Sequence, residues 1–311
     1  MLQPATRGEP HPVQHRANES LGRLRPPSVL TSWRLSPSGA MPMRSRGSRE
    51  GRGGECIVVT RWRLIFEDTF DGPEVDLDRW VTHYLPQWTV AERSAARYDF
   101  ADGLRLRIDA DQPAWRPDDG ELRVSNLQTG VWSGPVGSDA GTHRHRDDLT
   151  VKSEQPSRRL FLPASGRIEA TLRASDDPTV MLAFWLVGFE EDPADSGEIC
   201  VAELFGSEIE TEGSGVNIGI KAHHDPRLVD DMEMLRLGID ASTWHSYAAE
   251  WTAGDVRFFV DDEPVRTVRQ GVAYPMQLMV DLFEFPTSPE RPPDRYPKVG
   301  EVRSVRGYVR S

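Results

Sequence analysis

Nowhere in the 311 residues does an apolar run approach the ~18 needed for a membrane-spanning helix; the longest, Val180–Val187, has eight. A helical membrane protein is thereby excluded. Cysteine is scarce. Cys56 and Cys200 stand in unlike contexts, without C-x-x-C spacing. That speaks against a disulfide framework and a structural zinc site, and two free thiols in a reducing compartment is the simplest reading. An export signal is also lacking: Arg7, Arg16, Arg23 and Arg25 are scattered through the start, and no apolar core of ~7–15 residues follows them. The chain as written is expected in the cytoplasm, and outside the cell only if its leader is mis-set. Basic charge is thin beyond the leader. Residues 1–60 hold nine Arg and four acids, net +5, whereas the rest holds 28 basic and 45 acidic side chains, net −17. Such a body does not suit nucleic acid or an anionic membrane, which need clustered Lys and Arg. A neutral sugar is compatible with it.

Residues 1–60 are rich in Arg, Pro, Ser and Gly without periodicity. A disordered basic leader is the expectation, with a nucleic-acid arm and a mis-set translation start as alternatives. From about Trp62 the texture changes to short apolar or alternating segments. Arg63–Phe70, Leu104–Ile108, Glu121–Leu127, Arg167–Arg173, Val180–Val187, Ile199–Phe205, Val216–Lys221, Ser246–Trp251, Val256–Val260, Gln277–Phe283 and Arg303–Val309 read as strands. Asp71-Gly72, Asp102-Gly103, Asp119-Gly120, Gly254-Asp255 and Asp261-Asp262 punctuate them as turns. With almost no helical periodicity, the pattern predicts one all-β sandwich over 62–311, expected as a monomer.

Glu198-Ile199-Cys200-Val201-Ala202-Glu203 is the segment that carries chemistry. On a regular strand Glu198 and Cys200 share a face and Glu203 points away. A β-bulge among Val201 and Ala202 would return Glu203 to their side. Two carboxyl groups converging on one bond, one ionised and one protonated, is the equipment of glycoside hydrolysis. Taken alone, such glutamates are more commonly solvated strand carboxylates. Nine tryptophans are present, and Trp88, Trp115 and Trp132 stand outside strong apolar runs. Core packing explains most tryptophans, but flat rings also pack on sugars, and Trp185, Trp132 and Phe205 are the candidates for that role.

The ordered motifs resemble glycoside hydrolase family 16, the laminarinase and lichenase type. Leu64–Gly72 followed by Leu77-Asp78-Arg79-Trp80 is similar to its opening strand and turn. Gly166–Arg173, Ala183-Phe184-Trp185-Leu186, Trp244–Trp251, Val256–Asp261, Tyr274-Pro275-Met276 and Val302–Tyr308 resemble later strands in order. The resemblance implies a concanavalin A-like jelly-roll sandwich of two antiparallel sheets with a concave substrate groove. It also implies a retaining endo-β-glycosidase acting on a β-glucan-type polysaccharide. The family's E-x-D-x-x-E pattern makes Glu198 the nucleophile and Glu203 the general acid/base, and puts Cys200 where an assisting Asp belongs.

A thiol is a weak donor and normally neutral, so Cys200 replaces that Asp only in part. Reduced activity follows, or compensation by another acid such as Glu208 or Glu250. A non-catalytic, lectin-like domain of the same fold is the alternative function, and a structural interaction domain the third. The family's groove histidine falls near Ile220–Asp225, where Lys221 or one of His223 and His224 takes its place; His223 is the candidate sugar contact. Arg303 stands where relatives carry a last-strand Asp near a calcium ion, so no structural calcium and no other cofactor is expected. His143, His145 and Asp147 have strand-like spacing for a metal, but the interleaved Arg144 and Arg146 favour a charged loop; the alternative is that these arginines line the cleft rim and meet an anionic or hydroxyl-rich sugar.

Overall fold

The computed structural model describes residues 61–285 and 295–311; the basic leader with Cys56 lies outside them. Two antiparallel sheets face each other. The first runs β14 (Glu263–Val268), β13 (Val256–Val260), β12 (His245–Trp251), β7 (Gly166–Arg173), β16 (Lys298–Arg310), β3 (Gly103–Ile108), β2 (Arg97–Ala101), with β1 (Trp62–Asp68) also paired to β16. The second runs β11 (Asp231–Leu237), β10 (Ser214–Lys221), β9 (Glu198–Phe205), β8 (Val180–Gly188), β15 (Met276–Glu284), β4 (Arg123–Gln128). Two short strands, β5 (Gly130–Val131) and β6 (Arg158–Arg159), form a ribbon in the connecting loops. No helix among the described residues is long and apolar enough to cross a membrane. The sandwich is the one expected.

Period-2 alternation builds the core. On β7, Ile168, Ala170 and Leu172 are buried between the sheets while Arg167, Glu169, Thr171 and Arg173 face outward. β8 is buried on both faces. Leu182, Phe184 and Leu186 enter the central core, and Met181, Ala183, Trp185 and Val187 enter a second apolar cluster with Tyr84, Leu85, Trp88, Trp115, Leu149 and Val151. Loops thus roof the outward side of β8, β15 and β4, leaving the polar work of that face to β9 and its neighbours.

The three long strands the sequence reading omits, β2, β11 and β14, are all sheet edges. Edge strands face solvent and carry charges, so their apolar alternation is weak; β14 even holds Pro264, which an edge tolerates. Asp261 and Asp262, both left-handed at φ 51° and 65°, close β13 to β14 with the geometry of a type I′ turn.

Candidate active site

β9 carries the expected bulge. Its register against β8 jumps from Ala202 opposite Phe184 to Cys200 opposite Trp185, so Val201 has no partner. Val201 and Ala202 both turn into the central core with Ile199 and Leu204. That double inward step brings Glu203 back to the face of Glu198 and Cys200. Three rungs result: Val187–Glu198–Lys221, Trp185–Cys200–Gly219 and Ala183–Glu203–Asn217. Glu198 and Glu203 are 4% and 8% exposed, burial that a carboxylate tolerates only with partners.

The partners are dense. Lys221 Nζ lies 2.9 Å from Glu198 Oε1 and 2.8 Å from Glu203 Oε1. His223 Nε2 is 2.7 Å from Glu198 Oε2, and Asn217 Nδ2 donates to Glu203 Oε2 at 2.6 Å. Cys200 Sγ is 2.7 Å from Glu198 Oε1 and 3.7 Å from Glu203 Oε1. Burial alone would push the Glu198 carboxyl up; Lys221, the His223 hydrogen bond and the neighbouring imidazoles outweigh it and hold the group well below the usual carboxylate range. Burial would likewise lower Lys221, but the two glutamates outweigh it and keep it firmly an ammonium. Burial and the nearby Glu198 push the Cys200 thiol up, so it stays a neutral donor.

A second tier lies beneath. Trp185, buried in the second cluster, donates its Nε1–H to Asp281 Oδ2 at 2.5 Å and meets His143 edge-on at 5.4 Å between ring centroids. Asp281 is fully buried, its Oδ1 has no protein partner, and burial with Glu198 nearby raises its carboxyl toward the neutral acid. His143 and His223 both hold left-handed backbone, φ 55° and 48°, and their rings meet edge to face at 5.0 Å. Such conformations cost on the order of 1–3 kcal/mol each and persist where surrounding structure imposes them.

His143 and His145 turn inward, 5.9 Å apart, and His145 Nε2 reaches Asp119 at 3.0 Å. Arg144 pairs with Asp139, and Arg146 with Asp119 and Asp148. These arginines are therefore engaged by Asp139 and Asp148 of the loop and by Asp119 of the neighbouring turn. One ligand atom each from His143, Glu198 and His223 lie within 4.8 Å of one another. The Lys221 ammonium on the same Glu198 carboxylate opposes a dication there, so the donor set fits a hydrogen-bonded pair better than a metal.

Other residues singled out from the sequence fall elsewhere. Trp132 is part-buried and donates to the Phe189 carbonyl; Phe205, at the end of β9, stacks on Phe285 at 6.4 Å. Trp88 and Trp115 are not cleft rings: they are 0% and 2% exposed, and donate to the Thr142 and Tyr84 carbonyls. Nor do the proposed compensating acids reach the pair. Glu208 binds Arg236 at 2.7 Å on the turn after β9, and Glu250 lies on the first sheet between Arg167 and Arg257. Arg303 pairs with Asp102 and lies over Trp244. Asn217 and Asp281 are the site residues missed from the sequence; Asp281 inside the apolar run Gln277–Phe283 was the available signal.

Residues 148–289, which hold both glutamates and Lys221, match the family model for glycosyl hydrolases family 16. Over that stretch, just under half of the chain, the protein is similar to family 16. The endo-β-galactosidase from Clostridium perfringens that releases GlcNAcα1-4Gal superimposes with a TM-score of 0.66 at 25% identity, covering 79% of this chain. The match spans 62% of that enzyme, less than two thirds of its length. The laminarinase from Rhodothermus marinus shares the fold at TM-score 0.57 and 17% identity, over 81% of this chain and 99% of its own. The laminarinase from Flavobacterium sp. UMI-01 does so at 0.53 and 18%, over 79% and 100%. Comparison with curated protein sequences gave no match. The family 16 match and fold support a glycoside hydrolase type of function.

Proposed function

We propose that the protein is a retaining endo-β-glycosidase that cleaves a β-glucan- or β-galactan-type polysaccharide by double displacement. The observation that carries this is the bulged β9, which presents two buried glutamates on one face with a carboxylate oxygen from each within 4.8 Å. A close pair suits a direct nucleophile; inverting enzymes need ~6.5–9.5 Å to admit a water between the carboxyl groups. In the first step Glu198 attacks the anomeric carbon as Glu203 gives its proton to the departing glycosidic oxygen. Water then attacks the glycosyl-enzyme, Glu203 takes its proton, and the bond to Glu198 breaks. No cofactor enters either step. Both Glu203 oxygens accept hydrogen bonds, from Lys221 and Asn217. Proton delivery therefore requires Asn217 to release Oε2.

The full chain incubated with soluble β-glucans and β-galactans tests the reading by release of reducing ends. Wild type is expected to release them, and Glu198→Gln and Glu203→Gln each to lose about 10³-fold or more of the activity. Galactans belong in the panel because the endo-β-galactosidase is 25% identical to this chain. Cys200→Asp restores a carboxyl at the assisting position and is expected to keep or raise activity. A fall of ~10-fold or more would show that the thiol is preferred.

Lys221 favours a second reading. An ammonium bridging both carboxylates ties up the groups that hydrolysis uses, as in a sugar-binding domain without turnover. Binding of a polysaccharide without release of ends supports that reading, and silence in both assays with these substrates leaves a structural role.

A further inference from the structure

Lys221 sits opposite Glu198 in the β9–β10 ladder and within 0.1 Å of equal distance from the two glutamates, at 2.9 and 2.8 Å. We propose that Lys221 is the positioning residue of the pair, an ammonium that stays with the single negative charge as it passes from Glu198 to Glu203. The inference rests on the hydrolase reading above. In that mechanism the starting pair is a Glu198 carboxylate beside a Glu203 acid, and the glycosyl-enzyme is a neutral Glu198 ester beside a Glu203 carboxylate. One negative charge exists in each state, on a different side chain. An ammonium already hydrogen-bonded to both follows that charge without leaving its place, so little reorganisation accompanies the transfer.

The surroundings leave this task to Lys221. From β9, Glu198, Cys200 and Glu203 face it, with Asn217 beside it on β10. From the loops, the His143 and His223 rings and the Tyr84 hydroxyl lie in its field, and Asp281 of β15 lies in that of Glu198. Burial and the neighbouring His223 lower His143 toward the neutral ring, and Cys200 is a neutral thiol. Of these groups Lys221 is the permanent cation, and its two ion pairs are with the two glutamates.

Lys221→Met keeps length and removes charge, and Lys221→Arg keeps charge. The expectation for Lys221→Met is a kcat lower by about 100-fold and an acid limb of the kcat/KM profile raised by ~1 pH unit or more. Lys221→Arg is expected to keep the acid limb of wild type. A merely structural lysine would lower activity without moving that limb, so an unmoved limb in Lys221→Met overturns the proposal, as does an unchanged kcat. NMR titration of the Glu198 carboxyl, read without substrate, separates the two layers: Lys221→Met should raise it, and no shift overturns the clamp. A wild type that clamps Glu198 but releases no reducing ends refutes the hydrolase reading and the catalytic use of Lys221 together. Should Lys221→Met not fold, Glu203→Gln with and without Lys221→Gln gives the same titration with one carboxylate charge fewer; an upward shift on losing the lysine supports the clamp, and none overturns it.

Discussion

The outward faces of the two sheets are both lined with charge across neighbouring strands, yet they differ in kind. On the first sheet Glu67–Arg306–Glu169 and Arg167–Glu250–Arg257 form rungs of alternating sign. Arg306 Nε meets Glu67 at 2.8 Å with side chains 32% and 42% exposed. On the second, Glu198 and Glu203 are buried and share one ammonium. Cross-strand pairing is the same rule in both places. At the wet Arg306–Glu67 pair water screens the charges, and such a pair contributes little stability; Arg167 and Glu250 are more buried, at 12% and 11% exposed, but there two arginines face the one Glu250 carboxylate. On the dry face two buried carboxyl groups share one cation, so a single ammonium serves whichever of the two carries the negative charge. That sharing is what chemistry can use, and because both groups are buried it is also what makes the arrangement fragile.

The comparison breaks most visibly at Lys221. Lys221→Met leaves two buried carboxyl groups without their cation and is expected to lose about 3 kcal/mol of stability at pH 7, read by urea unfolding. The loss has a pH signature. Because the folded Glu198 carboxyl is depressed, its contribution is present above the unfolded value of about 4.3 and lost as pH falls through the lower folded value. The gap between wild type and variant should therefore close in acid; a gap independent of pH would assign the loss to packing.

Glu190 offers a smaller effect of opposite sign. It is 6% exposed and accepts the His143 backbone N–H at 2.7 Å, and burial pushes its carboxyl up to about 8 against those backbone hydrogen bonds. Its contribution is full below the unfolded value near ~4.3 and is lost as pH rises through about 8. Glu190→Gln should remove that loss, so its stability relative to wild type should rise by ~1 kcal/mol or more between pH 6 and 9. At the bottom of the scale, Arg306→Gln on the wet face should change stability by only about 0–1 kcal/mol, shrinking further in high salt. A loss as large as that of Lys221→Met would erase the distinction between the faces.

Much of this was readable in one dimension because it is local. Alternation at Gly166–Arg173 and the unbroken apolar run Val180–Val187 announced their strands, and Val201-Ala202 between Cys200 and Glu203 marked where a bulge would have to sit for the glutamates to share a face. Trp88 and Trp115 show that a tryptophan outside an apolar run can still be buried by loops that fold over it. Glu208 and Glu250 misled because distance along the chain says nothing of which sheet an acid will join.

What the sequence by itself determined, then, is the strand sandwich and the common face of Glu198 and Cys200; side-chain direction along a regular strand is a property of backbone pleat and needs no neighbour. The bulge that brings Glu203 to that face is a register jump against β8 and β10. The tertiary structure alone decided that Lys221, 23 residues after Glu198 and 18 after Glu203, stands between them. Register between strands is set by which side chains both sheets can bury together, and no short stretch of chain carries that information. Cys200 marked the departure from the family pattern, and the fold placed an ammonium beside it.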